Sequence, residues 1–255
     1  MAEMRAGFDF RGSVVIVTGA SGAIGQATAR AFHEAGAHVV ATGRNRDVLE
    51  KLAGELGGER CEIVIGDMAD AQHREQIVMT ANALGGAHVL VNNAGVTKSR
   101  KPTADTTLAD FDDIVGVNLR AAYDLSLAVV RGWVQRAYRG VIVSVSSPGA
   151  QRAHRNNAIY DISKGGMDAM TRCLAVDFGR FGIRANAIAP GQIPHSHTEV
   201  VDPAAASGLP LARHADPREA ALPILFLASD SASFITGQIL PVDGGLSAQL
   251  RTPIG

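Results

Sequence analysis

The chain of 255 residues has few cysteines, few aromatic side chains and almost no excess of charge of either sign. Cys61 and Cys173 are too few for a disulfide framework or a zinc site, which favours a reducing compartment such as the cytoplasm. A formal net charge of −1 without a long basic run argues against nucleic acid as a partner. No apolar stretch approaches the roughly 18 residues of a membrane span, and the N-terminus lacks an apolar signal region. We therefore expect a cytoplasmic protein with no nucleic-acid partner, no membrane partner and no metal site.

Hydrophobic residues make up 46% of the chain, which supports a substantial buried core. Runs rich in Val and Ile alternate with helical stretches. The predicted strands are 13–19, 37–43, 61–67, 87–95, 140–147, 183–191 and 237–245, and the main predicted helices are 23–36, 70–84, 107–138, 158–181 and 216–229. Continuous apolar runs indicate strands buried on both faces, and the alternation is typical of a parallel sheet. We predict α/β architecture: one domain over 1–255, a Rossmann-type doubly wound parallel sheet of about seven strands with helices on both faces, and a mobile substrate loop at 192–214.

A glycine-rich turn, "VTGASGAIGQA", joins the first predicted strand to the first helix. Gly19, Gly22 and Gly25 would let the backbone turn tightly and approach a phosphate at the helix N-terminus. Such a cluster alone is a weak signal. Its place at a strand–helix junction in the first βαβ unit favours dinucleotide binding over glycines kept only for packing.

The end of the second predicted strand usually carries an acidic residue that binds the ribose 2′-hydroxyl of NAD. Here the chain reads "ATGRNRD", with Gly43 at that place and Arg44 beside it. Because an arginine can bind a 2′-phosphate, NADP(H) is favoured over NAD(H) as the cofactor. The alternative is that Arg44 is a solvated residue at the start of the next helix.

The stretch "AIYDISKGGMDAM" places Tyr160 and Lys164 on one face of a predicted helix, since side chains four residues apart point the same way. A free tyrosine has a pKa of about 10, and an ammonium about 4 Å away could lower it toward neutrality, making Tyr160 an acid or base for a carbonyl oxygen. On an arbitrary helix such a pair would usually be solvent-exposed and without a catalytic role. Ser147, however, ends the fifth predicted strand at the sheet edge where doubly wound folds bind ligands.

Several motifs together resemble the classical short-chain dehydrogenase/reductase family, in family order and spacing: "TGASGAIG", "GDMAD", "VNNAG", "VNLRAAY", "SVSS", "YDISK", "NAIAPG" and "SFITGQILPVDGG". The resemblance implies that Tyr160 is the general acid/base and that Lys164 holds the nicotinamide ribose and lowers the pKa of the tyrosine. It makes Ser147 the group that polarises the substrate carbonyl. Asn118 would hold a water that links Lys164 to solvent in a proton relay.

The resemblance, together with the glycine turn and Arg44, also predicts a set of cofactor contacts. These are Gly19, Ser21, Gly22, Ile24, Gly25, Arg44, Asp67, Met68, Asn93, Ala94, Gly95, Tyr160, Lys164, Pro190, Gly191 and Ile193. Asp67 and Met68 would contact the adenine, and Ile193 the carboxamide. The family pairs helices such as 107–138 and 158–181 across two-fold axes, which implies a homotetramer. Within the second of these helices, Gly165 and Gly166 would allow close packing against a neighbour.

The chain departs from the family pattern at two places. The middle glycine of the turn is Ala23, with Gly22 one place early, which puts cofactor affinity in question. The threonine expected near the carboxamide is His195, so Ser196 or Thr198 takes its role through a shifted loop, His195 does so itself, or the contact is absent. A solvated loop histidine is the plainer interpretation.

The predicted function is a nicotinamide-dependent oxidoreductase for a small carbonyl or secondary alcohol. The substrate could be a sugar or polyol acid, a small ketone, a steroid-like ring or a 3-oxoacyl thioester. A rival is a catalytically idle dinucleotide-binding sensor or scaffold. An isomerase or dehydratase of nucleotide sugars is less favoured because the segment 192–214 leaves little room for a second domain.

Two loops at the carboxyl edge of the sheet are rich in basic residues: Lys98, Arg100, Lys101, Arg152, His154 and Arg155. Arginine forks suit carboxylates, and a cationic cleft concentrates anionic substrates. This supports the hypothesis of an anionic substrate such as a keto or hydroxy acid. The alternative is that these side chains lie on the outer rim and keep the loops solvated.

Overall fold

A computed structural model describes residues 7–97, 101–193 and 208–249. Its centre is a parallel sheet of seven strands in the order β3-β2-β1-β4-β5-β6-β7. The strands are β1 Val14–Thr18, β2 His38–Gly43, β3 Cys61–Ile65, β4 Val89–Asn92, β5 Val141–Val145, β6 Arg184–Pro190 and β7 Ile239–Val242. In the register, Val15 of β1 lies opposite Val39 of β2 and Val89 of β4. From β1 the strand order runs outward to β3 on one side, and from β4 it runs outward to β7 on the other. The predicted doubly wound sheet is therefore confirmed.

Seven α-helices cover the two faces of the sheet in the described ranges. They are α1 Ala23–Glu34, α2 Arg46–Glu55, α3 Ala71–Ala83, α4 Leu108–Val115, α5 Ala122–Gln135, α6 Ala158–Phe178 and α7 Pro217–Ala228. One apolar core lies between the sheet and α1, α2 and α7, and the other lies between the sheet and α3, α5 and α6. Every residue of β1 and β5 is buried, as strands covered by helices on both sides must be. None of these helices is both long and apolar enough to cross a bilayer.

The predicted helix 107–138 changes its geometry in the middle. Thr107 caps α4 through a capping box with Asp110, but Gly116–Ala121 is a π-helical segment, and α5 follows it. This segment carries Asn118, whose side-chain amide is hydrogen-bonded to the backbone of Val96. The chain is helical without a gap from Leu108 to Gln135, so the predicted long helix is confirmed over that range, with π-helical geometry in these six residues.

The predicted substrate loop 192–214 is described only in part. Residues 194–207 lie outside the described ranges, and so do His195, Ser196 and Thr198 together with Lys98 and Arg100. The described end of the loop contacts the segment after β7: Leu209 is buried, and the Leu211 amide donates to Gly244 O at 3.2 Å.

Candidate active site

The carboxyl ends of the central strands border a cleft of about 1150 Å³. Its volume exceeds the roughly 300–1,000 Å³ of ordinary small-molecule pockets, so it has room for an extended ligand. The structure brings nearly all predicted site residues to this cleft. Those that line it are Gly19, Ser21, Gly22, Ile24, Gly25, Arg44, Asp67, Met68, Asn93, Ala94, Gly95, Ser147, Tyr160, Lys164, Pro190, Gly191 and Ile193. Asn118 lies behind this wall and is fully buried.

The glycine turn leaves no room for side chains at two of its three glycines. Gly19 has a positive φ of 63°, and a Cβ there would lie 2.8 Å from Ala94 Cα. A Cβ on Gly25 would lie 2.2 Å from Gly19 O. At Gly22, by contrast, an added Cβ would meet only ordinary contact, so the displaced middle glycine is not demanded by packing.

The N-terminus of α1 opens toward the cleft. Its cap, Gly22, supplies no side-chain hydrogen bond. The first backbone N–H groups of a helix have no partner within the helix, and the helix dipole adds partial positive charge there. This end of α1 therefore has the donor set that binds a phosphate.

Asn93 connects the glycine turn to the end of β4. Its Nδ2 donates to Thr18 O at 2.8 Å and to Gly19 O at 3.0 Å. The Thr18 hydroxyl accepts the amides of Asn93 and Ala94 at 3.0 Å each and donates to Val91 O. Asn93 thus holds the turn in shape. The buried Thr18, which the sequence analysis did not single out, holds the same segment through its hydroxyl.

Arg44 lies at the exposed end of β2, with 68% of its side-chain surface accessible and Nη1 3.8 Å from Asp67 Oδ2. At Gly43 an added Cβ would lie 2.8 Å from Ser21 Oγ. An acidic side chain could not replace Gly43 unless Ser21 moved. Met68 is buried, and its carbonyl accepts from Arg74 Nη1 at 2.6 Å.

Tyr160, Lys164 and Ser147 meet at the inner end of the cleft. Lys164 is only 4% exposed, and its Nζ donates to Val145 O at 2.7 Å while lying 5.7 Å from the centroid of the Tyr160 ring. The Ser147 hydroxyl accepts the Gly149 amide at 3.1 Å. Burial lowers the pKa of Lys164 to about 8, and the charge of Asp168 acts in the opposite direction.

The expected fall in the pKa of Tyr160 is not found. Burial raises the pKa of Tyr160 above its ordinary value, and the hydrogen bond with Ser147 lowers it by less. Lys164 does not lower this pKa; its Nζ donates to Val145 O and lies 5.7 Å from the centre of the Tyr160 ring. With the cleft as described, Tyr160 therefore holds its proton at neutral pH and is set up as an acid.

Asn118 links three segments behind the cleft. Its Oδ1 accepts the Val96 amide at 2.7 Å, and its Nδ2 donates to Val96 O at 3.1 Å and to Ser163 Oγ at 3.0 Å. Ser163 in turn donates to Tyr160 O. The side chain missing at Gly95 leaves a space near both groups of the predicted relay, since a Cβ there would lie 3.4 Å from Asn118 Oδ1 and 3.6 Å from Lys164 Nζ.

The paired glycines of α6 have neighbours within the same chain. A Cβ on Gly166 would lie 2.5 Å from Leu119 Cδ2 in the π-helical segment, and one on Gly165 would lie 3.7 Å from Ala150 O. Gly166 therefore lets the helix of Lys164 approach the segment that carries Asn118. That contact explains why a costly glycine stands inside this helix.

A second buried pair, Ser146 and Asp168, was missed by the sequence reasoning. Ser146 Oγ donates to Asp168 Oδ1 at 2.5 Å, and both side chains are buried. Burial raises the pKa of Asp168. Asp168 lies one helical turn after Lys164, and its negative charge favours the charged form of that lysine. The available signal was an acidic residue on the apolar face of α6, next to Met167.

Comparisons with known proteins identify the family. A family profile described as Enoyl-(Acyl carrier protein) reductase matches residues 19–247. The chain is 38% identical over 243 residues to L-xylulose reductase of Bos taurus, covering 93% of this chain and 97% of that protein. It is 34% identical over 248 residues to a 3-oxoacyl-[acyl-carrier-protein] reductase of Rickettsia conorii, covering 93% and 98%. A solved short-chain dehydrogenase of Bacillus anthracis matches with a TM-score of 0.87 at 29% identity, covering 95% and 99%.

The family profile covers the chain from the glycine turn at Gly19 to just beyond β7. These matches confirm the predicted fold and the predicted class of reaction, because the relatives are named as reductases or dehydrogenases. The protein is a nicotinamide-dependent oxidoreductase that acts on CH–OH groups, and it belongs to the short-chain dehydrogenase/reductase family.

Proposed function

We propose that this enzyme reduces a small ketone to a secondary alcohol, or runs the reverse reaction, with NADP(H) as cofactor and Tyr160 as general acid/base. The observation that carries the proposal is one cleft that joins an uncapped helix N-terminus and its glycine turn to the Tyr160–Lys164–Ser147 group. The residues that would bind the nucleotide and the residues that would carry out the reaction thus line the same cleft.

The residues present fit a dinucleotide. Gly19 and Gly25 form a cradle that side chains would fill, and the first turn of α1 supplies free backbone donors for a pyrophosphate. Asp67 and Met68 would border the adenine, and Pro190, Gly191 and Ile193 the carboxamide. When bound, the nicotinamide supplies or accepts the hydride.

Each polar group at the inner end of the cleft then has a defined role. Tyr160 keeps its proton at neutral pH and donates it to the carbonyl oxygen of a bound ketone. Ser147 holds the same oxygen and polarises the carbonyl. Lys164 holds the nicotinamide ribose, and a water held by Asn118 in the space at Gly95 would link Lys164 to solvent in a proton relay.

A panel of ketones and secondary alcohols tests this function, with NADPH, NADH and their oxidised forms while nicotinamide absorbance is followed. We expect turnover of at least one class of compound. No change in absorbance with any carbonyl compound or alcohol would favour the catalytically idle sensor.

Arg44 is proposed to bind the 2′-phosphate of NADP(H). Its exposed guanidinium is only loosely paired with Asp67, so it is free to turn toward a phosphate. We expect NADPH to bind at least tenfold more tightly than NADH, since a charge-assisted contact is worth about 1.5–3 kcal/mol. The substitution Arg44→Asp should reverse the order, and Arg46→Asp, at the first residue of α2 and outside the cleft lining, should not. Equal affinity of the wild-type protein for both cofactors would refute the role of Arg44.

The substrate class has two further candidates. A 3-oxoacyl thioester is supported by the similarity to the Rickettsia reductase. An anionic substrate rests on the basic loops, but Lys101 pairs with Asp110 at 2.5 Å and His154 with Asp161 at 2.8 Å. Of the four basic residues that the structure describes there, this leaves Arg152 at the cleft and Arg155 outside it.

We also propose a homotetramer, located in the cytoplasm, where the free thiols of Cys61 and Cys173 would stay reduced. The helices expected at its interfaces expose large apolar side chains: Leu108 on α4 is 82% exposed and Val176 on α6 is 79% exposed. Sedimentation at micromolar concentration should show a tetramer or at least a dimer, and the double variant Leu108→Glu, Val176→Glu should dissociate to smaller species. A wild-type protein that sediments only as a monomer would contradict the proposal.

A further inference from the structure

A polar pair at the substrate end of the cleft has no role in the function proposed above. His154 lies in the loop after β5, and Asp161 is in the first turn of α6, next to Tyr160. His154 Nδ1 lies 2.8 Å from Asp161 Oδ1, and the His154 amide donates to Asp161 Oδ2 at 2.6 Å. Gly149 makes room for the pair, since a Cβ there would lie 2.2 Å from Asp161 Oδ1 and 2.7 Å from His154 Cε1.

The contact with Asp161 sets the tautomer of His154. A carboxylate only accepts hydrogen bonds, so Nδ1 of the imidazole carries the hydrogen. In the neutral ring this leaves Nε2 as an acceptor, and no described residue within hydrogen-bond distance satisfies it. The aspartate side chain is only 9% exposed, so it anchors the ring firmly.

The imidazole of His154 is one of the side chains that line the cleft. Its Nδ1 edge is turned to Asp161 and Gly149, whereas the ring as a whole is 35% exposed and lines the cleft beside Tyr160. The centroids of the His154 and Tyr160 rings are 6.5 Å apart. A substrate whose carbonyl oxygen meets the Tyr160 hydroxyl would therefore place its neighbouring carbons within reach of the His154 ring.

We propose that His154, oriented by Asp161, accepts a hydrogen bond from a hydroxyl group that the substrate carries close to its carbonyl. The inference rests on the proposed function and names its substrate class: hydroxy ketones and the polyols formed from them. A carboxylate at the same place would meet a lone pair backed by the negative charge of Asp161, so keto acids are disfavoured. An unsubstituted ketone would displace water from Nε2 without replacing its hydrogen bond, which costs affinity.

Three matched compounds test the proposal: hydroxyacetone, acetone and pyruvate, each reduced with NADPH by the complete enzyme. We expect kcat/KM for hydroxyacetone to exceed that for acetone by at least about tenfold, the effect of one well-placed hydrogen bond, with pyruvate no better than acetone. His154→Phe keeps an aromatic ring but removes the acceptor, so the ratio should fall to about twofold or less. His154→Gln, whose amide oxygen can reach the position of Nε2, should restore part of it.

Asp161→Asn examines the tautomer. An asparagine can donate to Nδ1, which moves the ring hydrogen to Nε2 and turns the acceptor into a donor, so the ratio should fall although the imidazole remains. The control is Arg155→Gln, a neighbouring exposed residue outside the cleft, which should leave the ratio unchanged. If His154→Phe fails to fold, the Gln and Asn variants decide.

The outcomes separate the two proposals. Reduction of acetone and hydroxyacetone with the same ratio in the wild type and the His154 variants would overturn the role of His154 and leave the oxidoreductase intact. A preference for pyruvate would overturn it in favour of the anionic substrate. An enzyme that reduces no carbonyl compound would contradict the proposed function, and this inference with it.

Discussion

Replacement of Tyr160 by phenylalanine should reduce turnover by at least about two orders of magnitude, the usual loss when a general acid/base is removed. The ring stays in place, so the packing of α6 on the π-helical segment and the affinity for the cofactor should change little. The loss should appear in kcat and in kcat/KM alike, because the hydroxyl acts on the reacting oxygen and not on the rest of the substrate. Initial rates and cofactor titration measure both.

The matched control is Tyr123→Phe. Tyr123 is a half-exposed tyrosine on α5 outside the cleft, and its substitution should leave turnover unaltered. A Tyr160→Phe enzyme that keeps most of its rate on a good substrate would show that another group moves the proton.

Replacement of Lys164 by methionine should harm both cofactor binding and turnover. The ammonium is proposed to hold the nicotinamide ribose and to take part in the proton relay, so kcat should fall by about two orders of magnitude and the cofactor Kd should rise. Methionine fills a similar volume, so the substitution should not leave a cavity that would itself destabilise the protein. Unchanged cofactor affinity would mean that Lys164 does not touch the ribose.

The same substitution should alter how the stability of the cofactor-free protein depends on pH. The pKa of Lys164 is about 8 in the folded protein against an ordinary value of 10.5, so between these values the unfolded chain binds more protons than the folded one. The free energy of unfolding of the wild type should therefore rise with pH across this window, by roughly 3 kcal/mol relative to Lys164→Met. Denaturant titrations at several pH values measure it, and Lys51→Met, at an exposed lysine, is the control.

Local patterns in the sequence predict a large part of the site. Gly19 and Gly25 stand at a strand–helix junction, and Tyr160 and Lys164 share one helix face. The positions predicted for them from sequence spacing therefore agree with their positions in the structure. The parallel sheet then places Ser147 at the same edge as the glycine turn. Each of these placements depends on neighbours in sequence or on the rule for strand ends.

Contacts between distant segments were beyond such patterns. The clamp of Asn93 on Thr18 joins residues 75 positions apart, and Asn118 reaches Val96 and Ser163 from a π-helical segment that no periodicity marks. The pKa of Tyr160 went the opposite way because burial, which depends on the whole fold, outweighs the one lysine visible in the motif.

Isotope transfer tests the central claim most directly. The wild-type enzyme is supplied with hydroxyacetone and NADPH in which both hydrogens at C4 of the nicotinamide are deuterium, and the product is examined by mass spectrometry and proton NMR. We expect a diol with one deuterium on the carbinol carbon that was the ketone, with little labelled product from Tyr160→Phe over the same time. A diol without deuterium, or with the deuterium on any other carbon, would contradict hydride transfer to a carbonyl in this cleft.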